Sequence, residues 1–162
     1  MGSFNDNLKQ VKTKTGIGVI TTVDVPKGMV IFEFRGDVVK ESDVPKTANL
    51  NYYLQIGKNL LLGPSGGLDD LFNHSCNPNC GVVVVGNRAF LISIQVIKAE
   101  TEITFDYSTT STDTQAEWLM VCKCGSYTCR KIISGYQYLD KVTQAKYETL
   151  NVVPKYVKGN TS

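Results

Sequence analysis

The sequence predicts one β-rich α+β domain with a small cysteine-containing annex near its C-terminal end. Short runs of β-branched and aromatic residues, separated by glycine and proline turns, fill residues 17–107. A Cys/Gly cluster follows at residues 122–129, and apolar residues recur at helical spacing over residues 138–150. With 162 residues, of which 42% are hydrophobic, the chain has the size and apolar content of a single core.

The predicted strands follow one another along the first two thirds of the chain. Residues 17–20, 23–25 and 29–34 are typical of strands, and a Pro-Lys-Gly turn separates the last two. Residues 51–56 and 59–62 predict a short hairpin around Gly57-Lys58. Residues 82–85 and 89–94 predict a clearer hairpin with Gly86-Asn87 as its tight turn. Residues 96–97 and 102–107 complete the series.

The character of the sequence changes after Tyr107. Residues 108–115 are polar and rich in threonine, which predicts a flexible connection to the cysteine cluster. Residues 138–150 predict a helix that begins near Tyr138. Its apolar spacing predicts these core-facing positions: Leu139, Val142, Ala145, Tyr147 and Leu150.

Charge and composition favour some functions over others. The net charge is +2 and no Lys/Arg run stands out, so neither nucleic acid nor an anionic membrane is an expected direct partner. No stretch approaches the roughly 20 apolar residues of a membrane helix, and residues 1–10 are polar, unlike a signal peptide. Five cysteines, an odd number, fit poorly with a secreted disulfide framework. We therefore expect an intracellular protein, by default cytoplasmic, with reduced thiols.

The cysteine cluster predicts a zinc site. Cys122, Cys124 and Cys129 form a C-x-C-x4-C pattern, three thiols within eight residues. Structural zinc takes four tetrahedral ligands that are often all cysteine, so the spacing calls for a fourth ligand, either Cys76 or Cys80. The alternative is that these thiols are buried or free, since cysteine is among the most buried residue types.

Three further segments are weak signals when taken separately. They are residues 16–18 (Gly-Ile-Gly), residues 73–79 (Asn-His-Ser-Cys-Asn-Pro-Asn) and residues 102–107 (Glu-Ile-Thr-Phe-Asp-Tyr). Each alone is compatible with an ordinary turn or strand. In this order, and followed by C-x-C-x4-C, they resemble the SET-domain family with its post-SET zinc motif. The resemblance spans about residues 11–135 and implies a SET fold with knot-like threading of the chain.

The resemblance implies an enzyme that transfers a methyl group from S-adenosylmethionine to a lysine of a protein or peptide, with a histone tail as one candidate. It implies a SET domain over residues 11–110, a zinc-binding segment over 116–135 and a helical extension over 136–157. Cys76 becomes the fourth zinc ligand beside the three clustered cysteines, and Cys80 receives no role.

Residue roles carry over from the same motifs. The family pattern assigns cofactor contacts to Gly16, Ile17, Gly18, Asn73 and His74. Tyr107 corresponds to the catalytic tyrosine and also to a cofactor contact. Tyr53, or its neighbour Tyr52, is implied to line the lysine channel together with Phe105. Trp118 is expected to line the mouth of the cofactor or substrate site and is counted among the cofactor contacts, with a packing role as the alternative. Phe105 falls where the family sets the number of methyl groups, so we expect that di- or trimethylation is reachable.

Departures from the family pattern keep other functions open. Many members have Ala-Arg or Ser-Arg where this chain has Asp69-Asp70, and an aromatic residue where it has Ile17. One alternative is an enzyme that methylates a small-molecule or peptide amine. Others are an inactive SET module that binds a partner, or a structural zinc protein. In a eukaryote, a nuclear location is an alternative to the cytoplasm.

Overall fold

The computed structural model describes residues 4–112 and 118–159. The end of the predicted polar connection and the first two residues of the predicted zinc-binding segment lie outside the described residues. Within them, short and mostly antiparallel strands dominate, which confirms the prediction of a β-rich domain.

Five small sheets build the domain. The hairpin predicted around Gly86-Asn87 is confirmed, and it pairs with a third strand to form the central sheet β3–β9–β8. The other sheets are β1–β2, β4–β6–β5, β7–β10 and β11–β12. The strands are β1 (Leu8–Thr13), β2 (Gly16–Thr21), β3 (Val30–Glu33), β4 (Val38–Lys40), β5 (Leu54–Gly57), β6 (Leu60–Leu62), β7 (Asn73–His74), β8 (Cys80–Val85), β9 (Arg88–Ser93), β10 (Thr104–Phe105), β11 (Met120–Val121) and β12 (Ile132–Ile133).

The main core lies among β2, β3, β6, β8 and β9 and ends in a cluster of aromatic rings. Phe72 packs edge-on against Phe32 at 5.4 Å and against Phe34 at 6.0 Å between ring centroids. Phe34 in turn packs against Phe105 at 5.9 Å. Such edge-to-face pairs contribute about 0.5–1.5 kcal/mol beyond the area they bury. The cluster thereby fixes the two segments that carry the sequence motifs.

The two motif segments meet as parallel strands. Thr104 pairs with Asn73 and Phe105 pairs with His74 in the two-stranded sheet β7–β10. Asn79 strengthens the contact, because its side-chain amide donates to the carbonyl of Glu102 at 2.7 Å and its oxygen accepts from the Thr104 N–H at 2.9 Å. A parallel pair needs a long crossover, so segments 30 residues apart in sequence come together only through the tertiary fold. This meeting point is the one that the SET fold predicts.

Several predicted strands are shorter than expected or absent. Val25 and Ile97 form only an isolated bridge. Tyr52 belongs to a 3-10 helix, Leu50–Tyr52, and Tyr107 begins another, Tyr107–Thr110. In that second helix Ser108, Thr109 and Thr110 are buried, so the prediction of a flexible connection is wrong for these residues. The Asp106 side chain caps the helix by accepting from the Ser108 N–H at 3.1 Å, which explains why the strand stops at Phe105.

The C-terminal helix α1 (Lys141–Thr149) is shorter than the predicted 138–150 and starts at its cap, Asp140. Tyr147 and Leu139 are buried as predicted. Val142 is 80% exposed and Ala145 is also exposed, so these two predictions are wrong; Gln144 takes the inward position instead. Its amide donates to the carbonyls of Tyr136 and Leu139, which satisfies the buried polar group. No helix among the described residues is long and apolar enough to span a bilayer.

The remaining short helices are of the 3-10 type and connect the strands. They comprise Phe4–Asn7, Glu41–Asp43, Leu68–Leu71 and Tyr136–Tyr138, besides the two named above.

Candidate active site and zinc centre

A cleft with a volume of about 1020 Å³ lies between the β4–β6–β5 sheet, the 3-10 helix at Tyr107–Thr110 and the C-terminal segment. Among its lining residues are these aromatic residues singled out in the sequence: Tyr52, Tyr53, Phe105, Tyr107 and Trp118. The predicted cofactor residues of β2 and β7 are not among its lining residues. Tyr107 lines the cleft and also contacts His74, so it connects the cleft with the strand that carries Asn73 and His74.

Tyr107 is held from several sides. Its hydroxyl donates to the Phe72 carbonyl at 2.7 Å, and its N–H donates to His74 Nδ1 at 3.2 Å. Its ring lies 4.9 Å from that of Phe105. Burial raises the pKa of Tyr107 and the charge of Glu102 raises it further, so the hydroxyl stays protonated at neutral pH. The hydroxyl oxygen keeps its lone pairs as acceptors, which suits a group that orients a reactant.

His74 is a neutral structural histidine. Burial lowers its pKa to about 4, although the charge of Asp106 acts in the opposite direction. Because Nδ1 accepts the Tyr107 N–H, the ring proton belongs on Nε2, which lies 3.2 Å from Cys76 Sγ. The ring therefore connects Tyr107 with the cysteine cluster, and a neutral ring with this low pKa is not poised to act as a base.

Strand β2 lies beside Asn73. The Asn73 amide donates to the Ile17 carbonyl at 3.0 Å and to Glu102 Oε1 at 2.8 Å. A Cβ atom at Gly18 would lie 2.5 Å from Glu102 Oε1 and 2.7 Å from Asn73 Nδ2, so a side chain there would displace both groups from their present contact. Gly16 and Ile17 are exposed, which leaves their backbone open to a ligand. These residues fit a cofactor that is bound through main-chain groups.

The aromatic residues of the cleft differ in exposure. Tyr53 and Tyr52 both line it, but Tyr53 is half-buried and Tyr52 is 52% exposed, which favours Tyr53 for a channel wall. Trp118 donates from Nε1 to Asn51 Oδ1 at 3.3 Å and packs against the cysteine cluster. It therefore stands between the cleft and the annex.

The four cysteines expected to bind zinc come together. The sulfur atoms of Cys76, Cys122, Cys124 and Cys129 all lie within 4.8 Å of one another. Zinc–sulfur bonds of about 2.3 Å in a tetrahedron require sulfurs about 3.8 Å apart, and Cys76 Sγ lies 3.7 Å from Cys122 Sγ. The Arg130 N–H donates to Cys76 Sγ at 3.4 Å, which suits a thiolate. The donor set and its spacing fit a closed structural zinc site.

Local backbone geometry shapes this site. Gly125 adopts a φ of 72°, the left-handed conformation that glycine adopts without strain, and this turns the chain between the second and third thiols. The Cys122 N–H donates to the Lys131 carbonyl at 2.7 Å and closes the β11–β12 hairpin around the loop. Cys80 lies elsewhere, fully buried in β8, where burial raises the pKa of its thiol. It is a core residue and not part of the cluster.

Asp106 lies within the 102–107 motif, but the sequence analysis assigned it no role. Its buried carboxylate accepts from both Nη atoms of Arg130 at 2.8 Å and from the Tyr147 hydroxyl at 2.8 Å. Ser108 N–H supplies a fourth hydrogen bond. Arg130 follows the last zinc cysteine and Tyr147 lies on α1, so one carboxylate connects the annex, the C-terminal helix and the catalytic segment. No local pattern marks either partner, since both contacts cross at least 24 residues.

Tyr156 is a cleft residue that sequence reasoning missed. Its hydroxyl lies 2.6 Å from the Gln55 carbonyl and 2.9 Å from that of Thr110. The two carbonyls belong to β5 and to the 3-10 helix at Tyr107–Thr110, and Tyr156 lines the cleft beside them. Its place after the predicted helix gave no signal of this contact.

The unusual Asp69-Asp70 pair has a structural explanation. Asp69 Oδ2 accepts from the Arg35 N–H at 2.8 Å, and Asp70 accepts from the N–H groups of Ser65 and Gly66 at 3.1 and 2.7 Å. The carboxylates satisfy backbone donors of the loop that precedes β7. The departure from the family pattern therefore changes the loop and leaves the contacts of Tyr107 and Asn73 in place.

Three features together define a SET-type domain. They are the parallel contact of the two motifs, the tyrosine at the cleft and the four-cysteine cluster. A sequence model of the SET domain matches residues 16–108, more than half of the chain. The chain belongs to the SET-domain family.

Similar proteins include two fungal enzymes named histone-lysine N-methyltransferase, H3 lysine-36 specific. The one from Chaetomium globosum is 28% identical over 162 aligned residues, which cover 91% of this chain and 18% of the relative. The one from Cryptococcus neoformans is 32% identical over 142 residues, covering 78% of this chain and 16% of the relative. The chain thus spans less than a fifth of the length of these relatives.

A solved structure has the same fold. The crystal structure of KRYPTONITE in complex with mCHG DNA and S-adenosylhomocysteine (SAH) superposes with a TM-score of 0.65 at 25% identity. The match covers 78% of this chain and 29% of KRYPTONITE.

Replacing Cys124 with serine should release zinc, because a structural site loses most of its affinity for zinc when one of its four ligands is removed. Metal analysis should find one zinc ion per chain in the wild type and far less in the variant. Hydrogen exchange should accelerate in the annex from about Trp118 onward. Cys80→Ala is the matched control and should keep its zinc. Full zinc content in Cys124→Ser would contradict the proposed ligand set.

Removing the charge of Arg130 should destabilise the domain far more than removing that of Arg88. Arg88 makes a similar two-bond contact with Glu33, but that pair is exposed, whereas the Asp106 side chain is fully buried. Arg130→Met should lower the free energy of unfolding by about 3 kcal/mol, whereas Arg88→Met should change it little because solvent screens an exposed ion pair.

Urea unfolding of the zinc-loaded proteins measures both losses. Equal losses in the two variants would show that Asp106 does not depend on its buried partner.

Proposed function

We propose that this chain is an S-adenosylmethionine-dependent protein-lysine N-methyltransferase that acts on histones. The observation that carries the proposal is the position of Tyr107, which lines the cleft through its side chain and contacts the Asn73–His74 strand through its backbone and ring. In this proposal the lysine enters through the cleft, while β2 and β7 hold the cofactor on the other side of Tyr107. Bound S-adenosylmethionine would supply an electrophilic methyl group on a cationic sulfonium.

The residues of the cleft favour a neutral amine. A free lysine has a pKa of about 10.4, so the ammonium must lose its proton before nitrogen can attack. Phe105 is buried and Tyr53 is half-buried, and an apolar channel beside a cation disfavours a second positive charge. Tyr107 and His74 are both neutral near pH 7 and neither is a base. The proton therefore leaves to water, and the protein contributes alignment.

Tyr107 and the Phe72 carbonyl would orient the reacting groups. Because the Tyr107 hydroxyl donates to that carbonyl, its lone pairs point elsewhere and can accept weak C–H···O contacts from a polarised methyl group. Phe105 has no hydroxyl to hold a water in the channel, so we propose that the product reaches di- or trimethyl-lysine.

The remaining parts of the proposal concern organisation and location. We propose a SET domain over residues 11–110, a zinc-binding segment over 116–135 and a helical extension over 136–157. The two fungal relatives are named for histone H3, and this supports a histone substrate and hence a nuclear site of action. The proposed site on H3 is the one in their names, lysine-36.

Transfer of an isotopically labelled methyl group tests the proposal. We expect label on histone H3 of nucleosomes or core histones, and its loss by at least about 100-fold in Tyr107→Phe, since a misaligned reactant costs that much in rate. Tyr138→Phe removes a half-exposed hydroxyl outside the site and should leave transfer unchanged. Histone H3 with alanine in place of lysine-36 should accept no label, and mass spectrometry should show di- or trimethyl-lysine.

Three outcomes would contradict parts of this proposal. Label confined to the small-molecule fraction of a lysate would assign metabolite methylation. Label on H3 that survives the alanine substitution would assign another lysine. Cofactor and zinc binding without transfer to any acceptor would make the chain a binding module.

A further inference from the structure

Glu102 lies beside Asn73 and strand β2, the residues expected to hold the cofactor, but the proposed reaction gives it no role. Its Oε1 accepts one N–H of the Asn73 amide at 2.8 Å, while the Ile17 carbonyl accepts from the same nitrogen at 3.0 Å. The tight fit around Gly18 brings the carboxylate against β2. Glu102 thus contacts Asn73 and adjoins Gly18, two of the residues expected to hold the cofactor.

The two acceptors determine which way the Asn73 amide faces. An ionised carboxylate and a backbone carbonyl can only accept hydrogen bonds, so the NH₂ group must point at both of them. Both N–H groups of Asn73 are thereby used, and its carbonyl oxygen is turned outward. That oxygen makes no hydrogen bond among the described contacts and, in a half-buried residue, it is available as an acceptor for a cationic group.

The charge of Glu102 has no cationic partner. None of the ion pairs among the described residues involves it. The Asn79 amide donates to the backbone carbonyl of Glu102 at 2.7 Å and so fixes the Glu102 backbone. Glu102 is only partly exposed. An unpaired carboxylate at this depth attracts a positive ligand more strongly than one in water. Its charge also reaches the Tyr107 hydroxyl, whose pKa it raises.

We infer that Glu102 is a positioning residue for the cofactor: it holds the Asn73 carbonyl oxygen toward the cofactor's α-ammonium group and supplies negative charge that favours the cationic sulfonium. The inference rests on the proposed function. S-adenosylmethionine and SAH share the α-ammonium group, but only the former carries the sulfonium. Removing the charge should therefore weaken the two ligands unequally.

Calorimetric titration of the zinc-loaded protein with each cofactor tests this without an activity assay. Glu102→Gln keeps the shape and an acceptor but removes the charge, so its Kd should rise about tenfold for S-adenosylmethionine and about threefold for SAH. Glu100→Gln removes the same charge from an exposed turn two residues away and should leave both Kd values unchanged.

A second variant separates charge from position. Glu102→Asp keeps the charge but withdraws the carboxylate from Asn73, so both ligands should bind more weakly while their affinity ratio stays that of the wild type. It also replaces Glu102→Gln as the test variant if the latter does not fold, as judged by circular dichroism. In that case a wild-type Kd for both ligands in Glu102→Asp would overturn the inference.

The outcomes distinguish the inference from the proposed function. Wild-type affinity for S-adenosylmethionine in folded Glu102→Gln, or an equal loss in Glu100→Gln, would overturn the inference alone. Absence of cofactor binding in the zinc-loaded wild type would overturn the proposed function and the inference with it.

Discussion

The buried carboxylate of Asp106 is the constraint on which the site depends. A charge without access to water is costly unless hydrogen bonds and an opposite charge surround it. Asp106 meets this requirement with partners from three parts of the chain: Arg130 beside the zinc cysteines, Tyr147 on α1 and the Ser108 N–H in its own 3-10 helix. These contacts fix Asp106, and the next residue is Tyr107. Arg130 of the annex and Tyr147 of the C-terminal helix therefore position Tyr107 without lining the cleft next to it, and in the proposed reaction they would act only through that positioning.

The electrostatics around Tyr107 agree with the proposed transfer, which uses no general base. Burial keeps both the Tyr107 hydroxyl and the His74 ring neutral near pH 7. In the proposed reaction such neutral groups would not compete for the proton that the substrate amine must lose, and they would add no positive charge beside a sulfonium. The apolar cleft wall would disfavour an ammonium, and the carboxylate of Glu102 would favour the cationic cofactor.

The sequence predicted those features of the fold that depend on a few neighbouring residues, such as tight turns and closely spaced metal ligands. Gly86-Asn87 specifies a tight turn, and the hairpin around it is present. The C-x-C-x4-C spacing brought three thiols together, whereas Cys76 came from the family resemblance and its sulfur joins the cluster. The predicted strand to Tyr107 ends early because Asp106 caps a helix instead.

Other features depend on contacts that no local pattern encodes. Val142 and Ala145 have the spacing of core residues, but α1 turns Gln144 inward to satisfy two carbonyls. Arg130 and Tyr147 are separated from Asp106 by 24 and 41 residues. Tyr156 reaches the Gln55 carbonyl across 101 residues. Only the folded chain shows that these residues belong to the site.

The central claim is that Tyr107 separates a lysine-binding cleft from a cofactor site on β2 and β7. A crystal structure of the zinc-loaded protein with SAH and a lysine-containing H3 peptide tests this most directly. The account predicts SAH against Gly16–Gly18 and Asn73, with the lysine entering past Tyr53 and Phe105 so that its amine lies beside the Tyr107 hydroxyl. Cofactor bound inside the large cleft, or a lysine amine remote from Tyr107, would contradict it.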